Sequence, residues 1–249
     1  MTTNTGPNGR VESTVQNGVA EVHLDDPDRR NAFSPELGED LLRALLEVGD
    51  RDDVSAVALT AEGKAFCAGL DLGVLRGDDD DRREFMFELL GAVTEWLYWS
   101  EVPVVVGANG PAPGGGSIII DSTDIRVVGE DISMWWPEVA FGLSGQHIAA
   151  RLVSQVGWPK AIELMLLGDE YPVGAEEAKE LGLANRVVAP DAVDATAREI
   201  AEIIAEHDRE HDNIQSHLAA MQHAREELQG ASHAYSSWLA SDLEGVLDS

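Results

Sequence analysis

The sequence predicts an α/β core followed by a helical C-terminal part. Over the first half of the chain, short β-branched runs alternate with amphipathic helical patterns, and from about His147 onward only helical patterns occur. We therefore place the core at residues 1–190 and a helical region at residues 191–249. The 249 residues, 44% of them hydrophobic, are enough to bury a core of that size.

A β-hairpin opens the predicted core. Residues 11–15 and 19–24 are β-branched runs on either side of Asn17-Gly18, which is a strong hairpin-turn signal. The next element is a helix that begins at Ser34-Pro35, because serine is a good N-cap and proline fits the first turn.

The remaining elements follow from hydrophobic periodicity and from breaks at glycine and proline. We expect residues 77–83, an acidic run, to form a mobile surface loop. The predicted strands are 54–60, 102–108, 125–128 and 133–135, and a predicted helix spans 83–99. The predicted C-terminal helices are 147–156, 160–167, 174–181, 191–207, 212–228 and 235–247.

The charge is unusually acidic, with 17 lysines and arginines against 46 aspartates and glutamates and a formal net charge of −29. Only Lys64, Lys160 and Lys179 are lysines. A nucleic-acid or anionic-membrane surface is excluded, since both require cationic protein surfaces. The composition is typical of a protein kept soluble in high salt, and an ordinary acidic cytosolic protein is the alternative.

Cys67 is the only cysteine, so neither an intrachain disulfide nor a cysteine-based metal cluster can form. The sequence shows neither a leader pattern nor an apolar run of the roughly 18 residues that a membrane span needs. We therefore expect a soluble, cytoplasmic protein. His207 and His211 have the spacing of a metal pair, but their flanking residues are those of a solvated acidic helix, and we expect no metal.

Two glycine-rich segments, 64–72 and 110–116, each follow a predicted strand. Glycines there allow backbone N–H groups to approach a ligand, and Gly115 is expected at a helix start that favours an anion. Neither segment has the spacing of a dinucleotide fingerprint or a P-loop. Taken alone, each is also explained by a tight turn.

Together and in this order, the glycine-rich segments resemble the enoyl-CoA hydratase/isomerase family, also called the crotonase superfamily. The resemblance covers nearly the whole chain. The segments that match the family pattern are 28–33, 66–72, 109–116, 136–143, 166–169 and 182–188.

The resemblance implies a spiral of ββα units, a helical C-terminal region that builds a homotrimer or hexamer, and a coenzyme A thioester as substrate. The shared chemistry is stabilisation of an enolate, with no cofactor beyond the CoA of the substrate. By position, the backbone N–H groups of Leu70 and Gly115 would be the oxyanion-hole donors.

The resemblance also assigns substrate contacts. The segment from Phe66 to Ala68 would line the adenine pocket, and Arg29 and Arg30 would face the CoA phosphates. The alternative for both arginines is a solvated loop charge.

The proton chemistry departs from the pattern of a standard hydratase of this family, which uses two glutamates. One position matches Glu138, whereas the other is Ile118, which cannot carry a proton. One carboxylate suffices for a proton shuttle, so the resemblance favours double-bond isomerisation with Glu138 as acid and base. Asp121, one helical turn beyond Ile118, either replaces the missing acid or is simply packed or solvated there.

Several residues are expected around the acyl group or between subunits. Ile118 and Trp136 are candidates for substrate contacts, and tryptophans 96, 99 and 135 either join them or pack elsewhere. An apolar stripe on the predicted helix 191–207 is expected to support assembly. Its members are Val193, Ala197, Ile200 and Ile204.

Other functions stay open at this point. Hydration of an enoyl-CoA, in fatty-acid or aromatic-acid degradation, is the main alternative to isomerisation. Decarboxylation and thioester hydrolysis use the same oxyanion hole in this superfamily. A non-catalytic acyl-CoA-binding paralogue is the alternative from a different class of protein.

Overall fold

A computed structural model describes residues 2–143 and 145–225 of the chain. The strands are β1 (Thr2–Thr5), β2 (Val11–Gln16), β3 (Val19–Leu24), β4 (Ala56–Ala61), β5 (Val104–Ala108), β6 (Ala112–Pro113), β7 (Ile125–Gly129), β8 (Ser133–Trp135), β9 (Val173–Gly174) and β10 (Arg186–Val188). The helices are α1 (Pro35–Gly49), α2 (Leu72–Leu75), α3 (Asp80–Trp99), α4 (Gly115–Asp121), α5 (Gln146–Val156), α6 (Trp158–Leu167), α7 (Ala175–Glu180) and α8 (Val193–His211). Short 3-10 helices span Pro27–Arg29, Pro137–Phe141, Gly168–Glu170 and Pro190–Ala192, and residues 214–225 are helical.

The main sheet has seven strands in the order β1-β2-β3-β4-β5-β7-β10. Strands β1 to β3 pair antiparallel, and β3, β4, β5, β7 and β10 pair parallel to their neighbours. The predicted α/β class is therefore confirmed. Because the parallel strands β4 and β5 are adjacent, the loops that leave their carboxyl ends emerge at the same edge of the sheet, which is where α/β proteins bind ligands.

The predicted hairpin and first helix are both present. Asn17 and Gly18 have φ values of 54° and 83°, and two consecutive positive φ angles are the signature of the type I′ turn that joins β2 to β3. The Ser34 hydroxyl accepts a hydrogen bond from the Leu37 N–H at 3.3 Å, which caps α1.

Two apolar layers cover the two faces of the sheet. One face packs against α1 and α3, where Leu37, Leu41 and Met86 are completely buried. The other face packs against α8 through Val193, Ala197 and Ala201. The prediction that the α8 stripe supports assembly is therefore wrong, because that stripe is buried against this chain's own sheet.

Two further local predictions are corrected, and the structure adds one strand. Residues after His147 are not exclusively helical, since β9 pairs with β8 and β10 pairs with β7. The acidic run 77–83 is not all loop, because α3 begins at Asp80 with Asp79 as its N-cap. Strand β1 was not predicted at all. The predicted helix 235–247 and the last part of 212–228 lie outside the described residues.

None of the helices within residues 2–143 and 145–225 is long and apolar enough to cross a membrane.

Candidate active site

The two glycine-rich loops pack backbone against backbone at the carboxyl ends of β4 and β5. Gly69 has a φ of 81°, and a Cβ on it would lie 2.7 Å from the Pro113 carbonyl oxygen. A Cβ on Gly116 would collide with the Cys67 carbonyl oxygen. Both positions therefore require glycine, because any larger side chain would push the loops apart.

The backbone nitrogens of Leu70 and Gly115 lie next to each other where these loops meet. A Cβ on Gly115 would be only 3.6 Å from the Leu70 nitrogen. Leu70 pairs with Phe33 in an isolated parallel β-bridge. The Phe33 N–H donates to the Gly69 carbonyl oxygen, and the Asp71 N–H donates to the Phe33 carbonyl oxygen. The Leu70 N–H therefore points away from Phe33. Gly115 is the first residue of α4, where N–H groups have no partner within the helix. The two backbone nitrogens thus lie close together, and their role as oxyanion-hole donors stays a prediction.

Two asparagines hold the loop after β4 in place. The buried Asn31 side chain donates to the carbonyl oxygens of Glu62 and Ala65 at 2.9 and 3.0 Å. The Asn109 side chain donates to the carbonyl oxygens of Ala61 and Gly63 at 2.8 and 2.9 Å. We did not predict these roles. The position of Asn109 directly before the glycine-rich segment 110–116 was a usable signal, whereas Asn31 lies 31 residues before Glu62 in the sequence.

Arg29 and Arg30 lie at the outer side of the same loop. Both side chains are exposed, and the Arg30 carbonyl oxygen accepts a hydrogen bond from the Ala68 N–H at 3.0 Å. Lys64, also exposed, belongs to the same loop. Among the described residues, no carboxylate lies within ion-pair distance of these three cations, although the chain carries 46 acidic residues. Their charges are available to an anionic ligand.

Phe66, Cys67 and Ala68 connect this cationic edge to the Leu70 nitrogen. Phe66 and Cys67 are completely buried, and Ala68 is half-buried. Burial raises the pKa of the Cys67 thiol to about 12. A thiol with that pKa is protonated at neutral pH, so Cys67 is not a nucleophile.

Glu138 lies beside the glycine run on the other side of the site. It belongs to the 3-10 helix Pro137–Phe141, and a Cβ on Gly114 would lie 4.0 Å from its Oε1 atom. Its Oε2 atom is buried and accepts no hydrogen bond from the described residues. Burial, with a smaller contribution from the charge of Asp121, raises the pKa of Glu138. The raised pKa makes the Glu138 carboxylate a stronger base than an ordinary surface glutamate.

The other predicted residues on this side differ in exposure. Ile118 is half-buried on α4 and packs against the core. Trp136 is completely buried, and its indole N–H donates to Asp121 Oδ2 at 3.2 Å. Asp121 is thus neither solvated nor free on the helix surface. The substrate contacts predicted for Ile118 and Trp136 stay predictions.

The four tryptophans do not form one cluster. Trp96 packs against Gly49 of α1, and Trp99 lies 5.2 Å from the Arg225 guanidinium, so both serve packing on α3. Trp135 lies beside the glycine run, where its carbonyl oxygen accepts a hydrogen bond from the Gly114 N–H at 2.8 Å. Of the two alternatives left open by the sequence, packing elsewhere therefore holds for Trp96 and Trp99, whereas Trp135 lies on the side of the site.

The histidine pair predicted from the sequence lies at the exposed C-terminal end of α8. Side-chain donor atoms of His207, Glu210 and His211 are within 4.8 Å of one another, and all three residues are exposed. Three exposed donors on one helix turn lack the buried, oriented surroundings of a built metal site.

Comparison with known proteins gives consistent matches. The family model described as enoyl-CoA hydratase/isomerase matches residues 14–240. A provisionally named enoyl-CoA hydratase of Thermus thermophilus is 37% identical over 192 residues, which are 75% of this chain and 74% of that protein. Enoyl-CoA hydratase EchA19 of Mycobacterium tuberculosis is 31% identical over 209 residues, 82% of this chain and 77% of that protein.

Solved structures agree with these sequence matches. The crystal structure of an enoyl-CoA hydratase/isomerase from Xanthobacter autotrophicus Py2 superimposes with a TM-score of 0.80 at 28% identity. That match covers 94% of this chain and 86% of the other. The predicted crotonase-like fold is therefore confirmed.

Proposed function

The chain belongs to the enoyl-CoA hydratase/isomerase family, and from this premise we propose that it moves the double bond of a 3-enoyl-CoA to the 2 position. Glu138 is the single acid and base of this reaction. The backbone N–H groups of Leu70 and Gly115 bind the thioester oxygen while it carries negative charge.

The proposed mechanism has two proton transfers. The Glu138 carboxylate removes a proton from C2, and the C2 electron pair delocalises into the thioester carbonyl to give an enolate. The Leu70 and Gly115 N–H groups stabilise the enolate oxygen. The Glu138 carboxyl then gives the proton to C4 while the double bond forms between C2 and C3, so the overall reaction consumes neither water nor an external acid.

The proposal depends on the pairing of one carboxylate, that of Glu138 beside the glycine run, with an aliphatic residue on α4. The α4 residue that would provide a second proton-carrying group is Ile118, which packs its aliphatic side chain toward the core. Addition of water across a double bond needs a group that activates the water and a group that protonates the carbon. Isomerisation needs only one group that first accepts and then returns a proton.

The raised pKa of Glu138 supports the shuttle. A base with an ordinary glutamate pKa takes a proton from carbon less readily, and a carboxyl with a very high pKa returns it less readily. Burial raises the pKa of Glu138 above the ordinary glutamate value, which favours removal of the proton from carbon.

The exposed cations beside the site support CoA recognition. Arg29, Arg30 and Lys64 form the outer edge of the loop that ends at Leu70, and phosphate groups bind arginine and lysine side chains through charge-assisted hydrogen bonds. We assign the CoA phosphates to this edge and the adenine to the segment from Phe66 to Ala68. The pantetheine chain then runs along this loop toward the Leu70 nitrogen.

Hydration is the second candidate, because relatives including EchA19 are named enoyl-CoA hydratases. An assay at high salt that measures hydration of 2-enoyl-CoA and isomerisation of 3-enoyl-CoA over several acyl lengths separates the two. We expect isomerisation to be faster at every acyl length that is turned over. Faster hydration supports the second candidate, and CoA thioester binding without turnover supports a non-catalytic paralogue.

Introducing the missing carboxylate tests why Ile118 matters. We expect Ile118→Glu to raise the ratio of hydration to isomerisation, because the resemblance makes position 118 the second glutamate of a hydratase, where a carboxylate can activate water. Ile118→Gln is the matched control, since it adds polarity and length without a base. Melting temperatures check that both variants fold, because a buried charge is costly. If the ratio of hydration to isomerisation is equal in both variants, position 118 is not where the second carboxylate of a hydratase acts.

We further propose a cytoplasmic homotrimer or hexamer adapted to high salt. The single cysteine is buried and suits a reducing compartment, and the net charge of −29 suits a protein hydrated at high salt. Helix α6 presents exposed apolar side chains that a subunit contact would bury. Trp158 is 65% exposed and Leu166 is 63% exposed.

Salt is expected to control both stability and assembly. With rising KCl, the melting temperature should increase and light scattering should show trimers or hexamers, because salt screens carboxylate repulsion between subunits. In dilute buffer the oligomer should dissociate. A monomer at every salt concentration, or a melting temperature independent of KCl, contradicts this part of the proposal.

A further inference from the structure

A buried group of charged residues is connected to the segment that carries Glu138 through Trp136. Asp121, at the end of α4, is 4% exposed, and Arg126 on β7 is also buried. Neither residue is used in the proton transfers described above. Buried charges are costly to retain unless they are paired and hydrogen-bonded, so their presence here calls for a physical role.

The Asp121 side chain is fixed by two neighbours. Its Oδ2 atom accepts a hydrogen bond from the Trp136 indole N–H at 3.2 Å, and its Oδ1 atom lies 3.7 Å from the Arg126 guanidinium. Arg126 is itself held, because it donates to the Asp121 carbonyl oxygen at 2.8 Å and to Gln155 Oε1 at 2.7 Å. Asp121 Oδ1 accepts no hydrogen bond from the described residues.

Trp136 links this group to the site. It immediately precedes Pro137 and Glu138, and its side chain is completely buried. An indole that is held by a hydrogen bond on one side and packed on all others cannot rotate, so the backbone that follows is fixed as well. Proline at 137 further restricts that backbone.

We propose that Asp121 is a positioning residue for Glu138, which it fixes by holding the Trp136 indole and by placing a buried negative charge beside the glutamate. This inference rests on the proposed function in its choice of Glu138 as the base. Asp121 itself transfers no proton to the substrate, because its side chain is buried and engaged with Trp136 and Arg126.

The electrostatic part of the role has a definite sign. The charge of Asp121 adds to the effect of burial in raising the pKa of Glu138. Burial raises the pKa of Asp121 to about 6, and this rise is opposed by Arg126 on β7, by the Trp136 hydrogen bond and by Arg151 on α5. Asp121 is therefore charged at neutral pH and loses that charge as the pH falls through about 6. The two carboxyl groups titrate as a coupled pair.

Asp121→Asn tests this role, because asparagine still accepts a hydrogen bond from Trp136 but carries no charge. We expect the acid limb of the isomerisation pH profile to move to lower pH with little change in KM. Asp121→Leu, which cannot accept that bond, should lose more of kcat than Asp121→Asn. Asp124→Asn is the matched control: Asp124 is a nearby aspartate whose Oδ2 accepts a hydrogen bond from the Val104 N–H at 2.9 Å. It should leave the acid limb in place.

Infrared titration of the carboxyl C=O bands tests the same role without activity. Glu138→Gln assigns the Glu138 band, and Asp121→Asn should move that band's titration to lower pH. Because coupling is reciprocal, Glu138→Gln should also move the Asp121 titration to lower pH. This second measurement applies even if Asp121→Asn does not fold.

The outcomes separate this inference from the proposed function. An active enzyme in which Asp121→Asn leaves both the acid limb and the Glu138 band unchanged overturns the role of Asp121 alone. If the wild-type protein neither isomerises nor hydrates any enoyl-CoA, the proposed function is overturned. The infrared shifts then decide whether Asp121 acts on Glu138. If Asp121→Asn does not fold, an unchanged Asp121 titration in Glu138→Gln overturns the inference.

Discussion

Glu138→Gln is expected to lower the rate of 3-enoyl-CoA isomerisation by about 10²–10⁴ while leaving KM almost unchanged. Glutamine keeps the size and hydrogen-bonding shape of the side chain but cannot accept a proton from C2. The measurement is kcat and KM at the pH optimum in high salt. Because only the base is lost, the substrate should still bind.

Two controls make the Glu138 result specific. Glu130→Gln changes an exposed glutamate at the end of β7 and should leave kcat unchanged, since it alters charge without touching the site. Thermal unfolding shows whether Glu138→Gln is folded, and we expect it to be at least as stable as the wild type, because a neutral amide is less costly to bury than a charge. Isomerisation at the wild-type rate removes Glu138 from the mechanism.

Gly115→Pro is expected to cost about 10²–10³ in kcat, because proline has no N–H to donate to the enolate oxygen. Gly115 is the first residue of α4, which is the helix position that best tolerates proline. The loss should therefore fall on kcat rather than on folding, and circular dichroism and thermal unfolding should show this.

Gly115→Ala separates the lost donor from the added bulk. It keeps the N–H, and its Cβ would contact the Leu70 nitrogen at an ordinary 3.6 Å. The difference in kcat between the alanine and proline variants measures the donor itself. Equal activities in the two folded variants show that the Gly115 N–H does not bind the enolate.

Elements with strong local signals were predictable from the sequence. The Asn17-Gly18 turn and the Ser34 cap each depend on residues within a few positions, and both occur as predicted. Strands β9 and β10 have only two and three residues and exist because they pair with strands far away in the chain. No local periodicity marks such strands, so they were missed.

The α8 stripe shows a second limit of sequence patterns. Its spacing correctly indicated an apolar helix face, because Val193, Ala197 and Ile200 are indeed buried. The pattern cannot tell which surface covers that face, and the sheet of the same chain covers it.

The candidate site was predictable in its backbone parts and less so in its side chains. The positions of Leu70 and Gly115 followed from glycine motifs and the resemblance, and the structure brings the two nitrogens together. The bond between Asp121 and Trp136 joins two elements fifteen residues apart. Only the packing of α4 against β8 creates that contact, so the sequence offered Asp121 as either an acid or a packed residue.

An isotope-transfer measurement tests the single-carboxylate mechanism most directly. A 3-enoyl-CoA carrying deuterium at C2 is converted in ordinary water under single-turnover conditions, and the product is analysed for deuterium at C4. Because one carboxyl, that of Glu138, carries the proton between the two carbons, we predict deuterium at C4 in a measurable fraction of the 2-enoyl-CoA product. The fraction should increase as the reaction is made fast relative to exchange with water. A product whose C4 hydrogen comes entirely from solvent at every rate, or a product hydrated at C3, contradicts the mechanism.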